Sequence, residues 1–280
     1  RDRVAQHSVK ILEEALREFS PRLPPGKQPI HVTIAATLGE FGRRIGSFSQ
    51  YRVAGVAKPA EGVIIVQSPR IRFAEEDYAG TLRHELLHVL IHRNTGKYAL
   101  PRWLDEGLCM SYANEYYWQS GISVARMFLT GRVIPVGRLD RAFTMPGDEQ
   151  EFSDAYAEGL SLVHFMRERL GDEVVWNAVL GTQHEDFESS LRHAAGIELT
   201  DLYADYYRSL WVVALVGVLT SGSLLGPASV LTIIAWWRIR RRNNRRLVEM
   251  AEDEKINPPP EAWYGDEEES EEVAEETPPR

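Results

Sequence analysis

The sequence predicts an α+β fold: a small N-terminal mixed sheet, a mainly helical half after it, and one transmembrane helix near the C-terminus. Three observations carry this expectation. β-rich segments cluster before residue 68, helical periodicity dominates from residue 77 onward, and residues 209–237 carry no charge at all. With 280 residues, 44% of them hydrophobic, the chain has enough apolar surface for a globular core.

The elements follow in order. "VAQHSVKILEEALREF", 4–19, spaces its apolar groups near the helical period, and "PRLPPGKQP" breaks the helix. "IHVTIAAT", 30–37, is β-rich with partial alternation, and "LGEFGRRIG" suits a short helix. "YRVAGVAKPAEGVIIVQS" reads as two strands around a Lys58-Pro59 turn. Helices are expected at 77–94, 101–115, 153–170, 172–180 and around 184–208, with loops at 116–123 and 144–151. There is no internal repeat.

Charge is unevenly spread. The net value of −9 is dominated by the tail 247–280, where thirteen acidic residues face only Lys255 and Arg280. Residues 1–237 are close to neutral, with no basic face suited to nucleic acid. The single cysteine, Cys109, excludes an intramolecular disulfide and reads as a small buried apolar residue.

The uncharged run 209–237 would form a helix roughly 44 Å long, enough for one tilted or kinked span of about 30 Å of hydrocarbon but not for two. Gly226-Pro227 marks the expected kink. Trp211 stands at one end and Trp236, Trp237 at the other, as interfacial anchors do. Six arginines follow the span in "RIRRRNNRR", 238–246, so the positive-inside rule places the C-terminal side in the cytoplasm. Three segments are therefore expected: an extracytoplasmic domain 1–208, a transmembrane helix 209–237, and a cytoplasmic basic segment with an acidic disordered tail, 238–280. That topology requires an export signal, expected upstream of Arg1. The tail is also a candidate docking segment for a cytoplasmic partner.

The chemistry concentrates in "TLRHELLHVLIH", 81–92. His84 and His88 lie four apart and share one helix face, the spacing with which two imidazoles grip a single Zn²⁺. Glu85 lies about 100° around from His84, where a carboxylate can serve as a base without becoming a ligand. His92, about 12 Å along the axis from His84, belongs to the helix end. "LPRWLDEGLCMSY", 100–112, offers the third ligand: Glu106, with Asp105 and Glu115 as competing carboxylates. A turn through Asn94-Thr95-Gly96 would fold this second helix back onto the first.

"RHELLHVLIH" followed by "LPRWLDEGL" resembles the gluzincin metallopeptidases of the thermolysin-like MA clan. It looks most like the bacterial peptidase-MA-like domain, in which HExxH is followed by W-x-x-E-G. "AGVAKPAEGVIIV", "AYAEGLSLVHFMRERLG" and "FESSLRHAAGIELTDLYADYY" extend the likeness over roughly residues 28–210. The resemblance implies a thermolysin-like helical half, His84, His88 and Glu106 as zinc ligands, Glu85 as general base, and a bacterial cell membrane as location. It also implies a Tyr or His donor to the oxyanion, for which Tyr156 is the first candidate and Tyr112, Tyr116 and Tyr117 are rivals. The pattern departs from the family after Glu106, where Cys109 and Met110 stand in place of an acidic support for a histidine, leaving Asp105 as the substitute.

The expected activity is hydrolysis of peptide or protein substrates outside the cytoplasm, with an extended peptide pairing along the strand 62–68. The alternatives are a metal-binding or signalling module of the same fold, or a zinc hydrolase of non-peptide substrates.

Overall fold

The apolar segments before residue 68 form three short strands, and the rest of the described chain is helical. The computed structural model describes residues 2–46, 53–72, 75–113, 123–124 and 126–220. The elements run α1 (Asp2–Phe19), β1 (His31–Ala35), α2 (Leu38–Ile45), β2 (Gly55–Lys58), β3 (Val63–Gln67) and α3 (Pro69–Arg72). They continue with α4 (Glu75–Asn94), α5 (Arg102–Tyr112), α6 (Val136–Thr144), α7 (Glu149–Leu170), α8 (Asp172–Gly181), α9 (Phe187–Ala195) and α10 (Leu199–Thr220). The chain is thus mainly helical with a small mixed sheet, an α+β arrangement.

The sheet has the order β1-β3-β2, with β1 parallel and β2 antiparallel to β3. Its two faces bury different partners. Ile64 and Val66 join the main core with Leu82, Leu86 and Leu90 of α4. Ile65 packs with Ala35 and with Phe41 of α2. α2 is held at its start by Thr37, whose hydroxyl accepts from the Glu40 N–H at 3.1 Å.

The central element is α4. Leu82, Leu86, Leu87, Val89, Leu90 and Ile91 are all buried, because α1, the sheet and α5 cover it from several sides. This explains why its sequence lacks a plain polar stripe.

Several boundaries differ from expectation. Residues 184–208 form two helices, α9 and α10, because Gly196 takes a left-handed φ of 69° and ends α9. α6 occupies a stretch for which no element was expected, opened by Pro135. The expected loop 144–151 shrinks to the link between α6 and α7, since Asp148 caps α7 by accepting from the Glu151 N–H at 2.7 Å. Strand 62–68 was expected at a sheet edge. As β3 it is the central strand, paired on both sides, so neither of its edges can receive a peptide.

The first of two compact units spans Arg1–Gly217. α10 continues unbroken past Arg208, and Leu210 is buried in the main core. The uncharged run therefore begins inside the folded unit. No helix among the described residues is long and apolar enough to cross a membrane, and most of 209–237 lies outside them. The arginine run and acidic tail, 238–280, also lie outside the described residues.

Candidate metal centre

Helical spacing brings His84 and His88 together, as expected. Their Nε2 atoms lie 3.1 Å apart, and the ring planes cross at 70°. α5 returns antiparallel to α4 after the turn at Asn94–Gly96. Asn94 braces that turn by donating to the Pro24 and Leu90 carbonyls, both at 2.8 Å. The return places Glu106 Oε2 at 3.4 Å from His84 Nε2 and 3.6 Å from His88 Nε2. Three donor atoms held about 2.0–2.1 Å from one tetrahedral ion are separated from each other by roughly 3.4 Å. The observed spacings fit that requirement, so His84, His88 and Glu106 could hold a metal ion together.

The seat of Glu106 depends on its neighbour in the sequence. Gly107 faces α7 so closely that a Cβ there would stand 2.6 Å from the Gly159 carbonyl oxygen. The glycine of "WLDEGL" thus permits the helix contact that holds Glu106 in place. Trp103 anchors the start of α5, its backbone N–H donating to Asp140 Oδ1 at 3.2 Å while its ring is buried.

His88 is oriented from behind. Its Nδ1 lies 3.0 Å from Asp105 Oδ2 and 3.4 Å from Cys109 Sγ. A proton on Nδ1, donated to Asp105, leaves the Nε2 lone pair facing the metal position. Asp105 therefore stands on the far side of the ring and does not compete with Glu106. His88, Asp105 and Cys109 form a second close group, yet burial pushes the Cys109 thiol up to about 12 and keeps it protonated. Cys109 is buried, as expected, and acts as a neighbour of the histidine.

The electrostatics of these side chains follow from crowding. Burial raises the pKa of Glu106, but hydrogen bonds from His84 and His88 overcome it and hold the carboxyl well below its ordinary value. Burial pulls His88 down, and the Asp105 charge, with the hydrogen bonds of Nδ1 to Asp105 and Cys109, outweighs it, leaving the imidazole well above its usual range. Glu85 is shifted upward by burial, against the pull of both histidines. Its side chain is wedged against β2: a Cβ on Gly55 would stand 2.8 Å from Glu85 Cγ and Oε1.

His84, Glu85, His88 and Glu106 line one open cleft of about 480 Å³, together with residues 53–57, Thr81, Arg102, Phe152 and Tyr156. No protein-family model, no curated protein and no solved structure matches this chain. What the site can do must be read from its own geometry.

Tyr156 lines the same cleft, its ring packed at 4.9 Å from Phe143 and 4.8 Å from Phe152. Burial, reinforced by Glu106, raises its pKa and keeps the hydroxyl a donor. Tyr112 points elsewhere: its hydroxyl donates to Asp172 and accepts from Trp176 Nε1 at 2.7 Å. Tyr116, Tyr117 and Glu115 lie outside the described residues. His92 is exposed in the last turn of α4, apart from the site. Arg102 was not anticipated. It binds Glu106 Oε1 at 2.7 Å, and its i,i+4 spacing to Glu106 was the available signal.

Proposed function

We propose that the chain is a zinc-dependent peptidase of gluzincin type. The observation that supports it is the convergence of His84, His88 and Glu106 on one point, beside the buried Glu85, in a cleft open to substrate. Two imidazoles and one carboxylate with a free fourth position suit zinc in a catalytic site. Zinc bound there supplies Lewis acidity, polarising a carbonyl and acidifying water.

The chain's own residues supply the rest. Glu85, its pKa raised by burial, accepts a proton from the attacking water and delivers it to the leaving amine. Tyr156 donates a hydrogen bond to the substrate carbonyl oxygen as it gains negative charge. With β3 central, the strand that can receive an extended peptide is β2, at the sheet edge and in the cleft wall. A scaffold without chemistry has no use for a carboxylate wedged in Glu85's position, which favours the enzyme over a binding module.

The part of the uncharged run 209–237 that follows Leu210 anchors the enzyme in a bacterial membrane with the preceding domain outside, supported by the absence of charge and the arginines after it. The test is elemental analysis of the purified full-length protein, with hydrolysis assayed on a mixed peptide library. Glu85→Gln should keep its zinc and lose about 10²–10⁴-fold in rate. Hydrolysis that survives this substitution would remove Glu85 from the mechanism. Zinc held by a wild type that cleaves nothing would favour the binding module.

A further inference from the structure

We infer that Arg102 is a positioning residue that keeps Glu106 a one-oxygen metal ligand; this rests on the metal centre proposed above. Arg102 opens α5, so Asp105 and Glu106, three and four residues on, lie over it on the same helix face. Its Nη2 stands 2.7 Å from Glu106 Oε1, and its Nη1 stands 3.4 Å from Asp105 Oδ2. Asp105 Oδ2 is 3.0 Å from His88 Nδ1, while the other oxygen of Glu106 is 3.6 Å from His88 Nε2. The contacts close a ring in which Arg102 touches both the ligand and the group that orients a second ligand.

The ring divides the labour within one carboxylate. Oε2 faces the two histidines and Oε1 faces the guanidinium. The Glu106 side chain is only 3% exposed, so solvent is poorly placed to replace Arg102 at Oε1. A carboxylate without that partner can turn both oxygens to the ion, filling the coordination position that a hydrolytic water needs. The guanidinium also offsets the negative charge of Glu106 and Asp105. The spread of the two donors over Asp105 and Glu106 is a task for a planar fork, which a lysine performs only in part.

The experiment loads full-length protein in detergent with Co²⁺, whose visible band is several times stronger in four-coordinate than in five-coordinate sites. X-ray absorption fine structure then counts the carboxylate oxygens at the ion. Wild type should give the strong band and one carboxylate oxygen. Arg102→Met should take up Co²⁺ but lose severalfold in band intensity and gain a second oxygen. Arg102→Lys should recover part of the intensity. An unchanged spectrum in fully loaded Arg102→Met would overturn the inference. So would two carboxylate oxygens in wild type, an outcome that needs no variant to fold. A wild type that binds neither Co²⁺ nor zinc shows no band at all and would overturn the metal centre itself.

Discussion

Glu106-Gly107 on α5 and Glu158-Gly159 on α7 are the same dipeptide on two helices packed face to face, yet their carboxylates live in opposite electrostatic worlds. Both glutamates are almost fully buried, at 2% and 1% exposure. Burial raises the pKa of both. At Glu106 the two histidines more than reverse it, and the carboxyl ends well below its ordinary value. At Glu158 the Ile134 N–H, donating at 2.9 Å, offsets burial only in part, and the carboxyl is left at about 7. The donors and charges within reach, rather than depth, separate a carboxylate that could serve a metal ion from a structural one.

The comparison can be broken in three ways. The largest effect concerns the ion: Glu106→Gln should weaken zinc binding by roughly a hundredfold or more, beyond what loss of an outer partner causes. Glu158→Gln should leave the zinc affinity unchanged, as read by competition with a chromophoric chelator. Equal losses in both would show that the helix contact, not the ligand, governs binding.

The glycines come next. Gly107→Ala forces a Cβ to 2.6 Å from the Gly159 carbonyl and should cost about 3 kcal/mol in urea unfolding. Gly159→Ala meets Phe143 and the Trp103 carbonyl at 3.1 Å and should cost about 1 kcal/mol. A reversal of that order would mean that the helices re-space freely.

The smallest effect is in pH. Glu158 binds its proton more tightly folded than unfolded, so its ionisation destabilises the fold. Stability should fall as pH rises from about 4.5 to about 7, by up to about 2 kcal/mol once screening is allowed for, and then level off. Glu158→Gln keeps an acceptor for Ile134 and should flatten that part of the curve, measured by thermal unfolding at a series of pH values.

The metal group was legible because its spacing is local. Four residues fix His84 against His88 on any helix, and a short polar turn sends α5 back along α4. Asp105 could be picked out as the neighbour left to support a histidine, and the structure puts it there. Strand order was not legible: β3 looks like an edge until β1 pairs with it in parallel across an intervening helix, a contact that no local pattern encodes. The split between α9 and α10 rests on the conformation of Gly196, which the surrounding helical periodicity hides. Arg102 was missed because a half-exposed arginine at a helix start is ordinarily a surface charge; only the position of Glu106 beneath it gives it a task.

Gly55 has a practical bearing on redesign. The wall of the cleft that would set side-chain preference runs through Val53–Ala57, and the middle of that wall touches Glu85 with no room for even a methyl group. A library that varies the whole wall will discard most of its members at this one codon. Attempts to retune selectivity should vary Val56, Phe152 and Ser153 and leave position 55 bare.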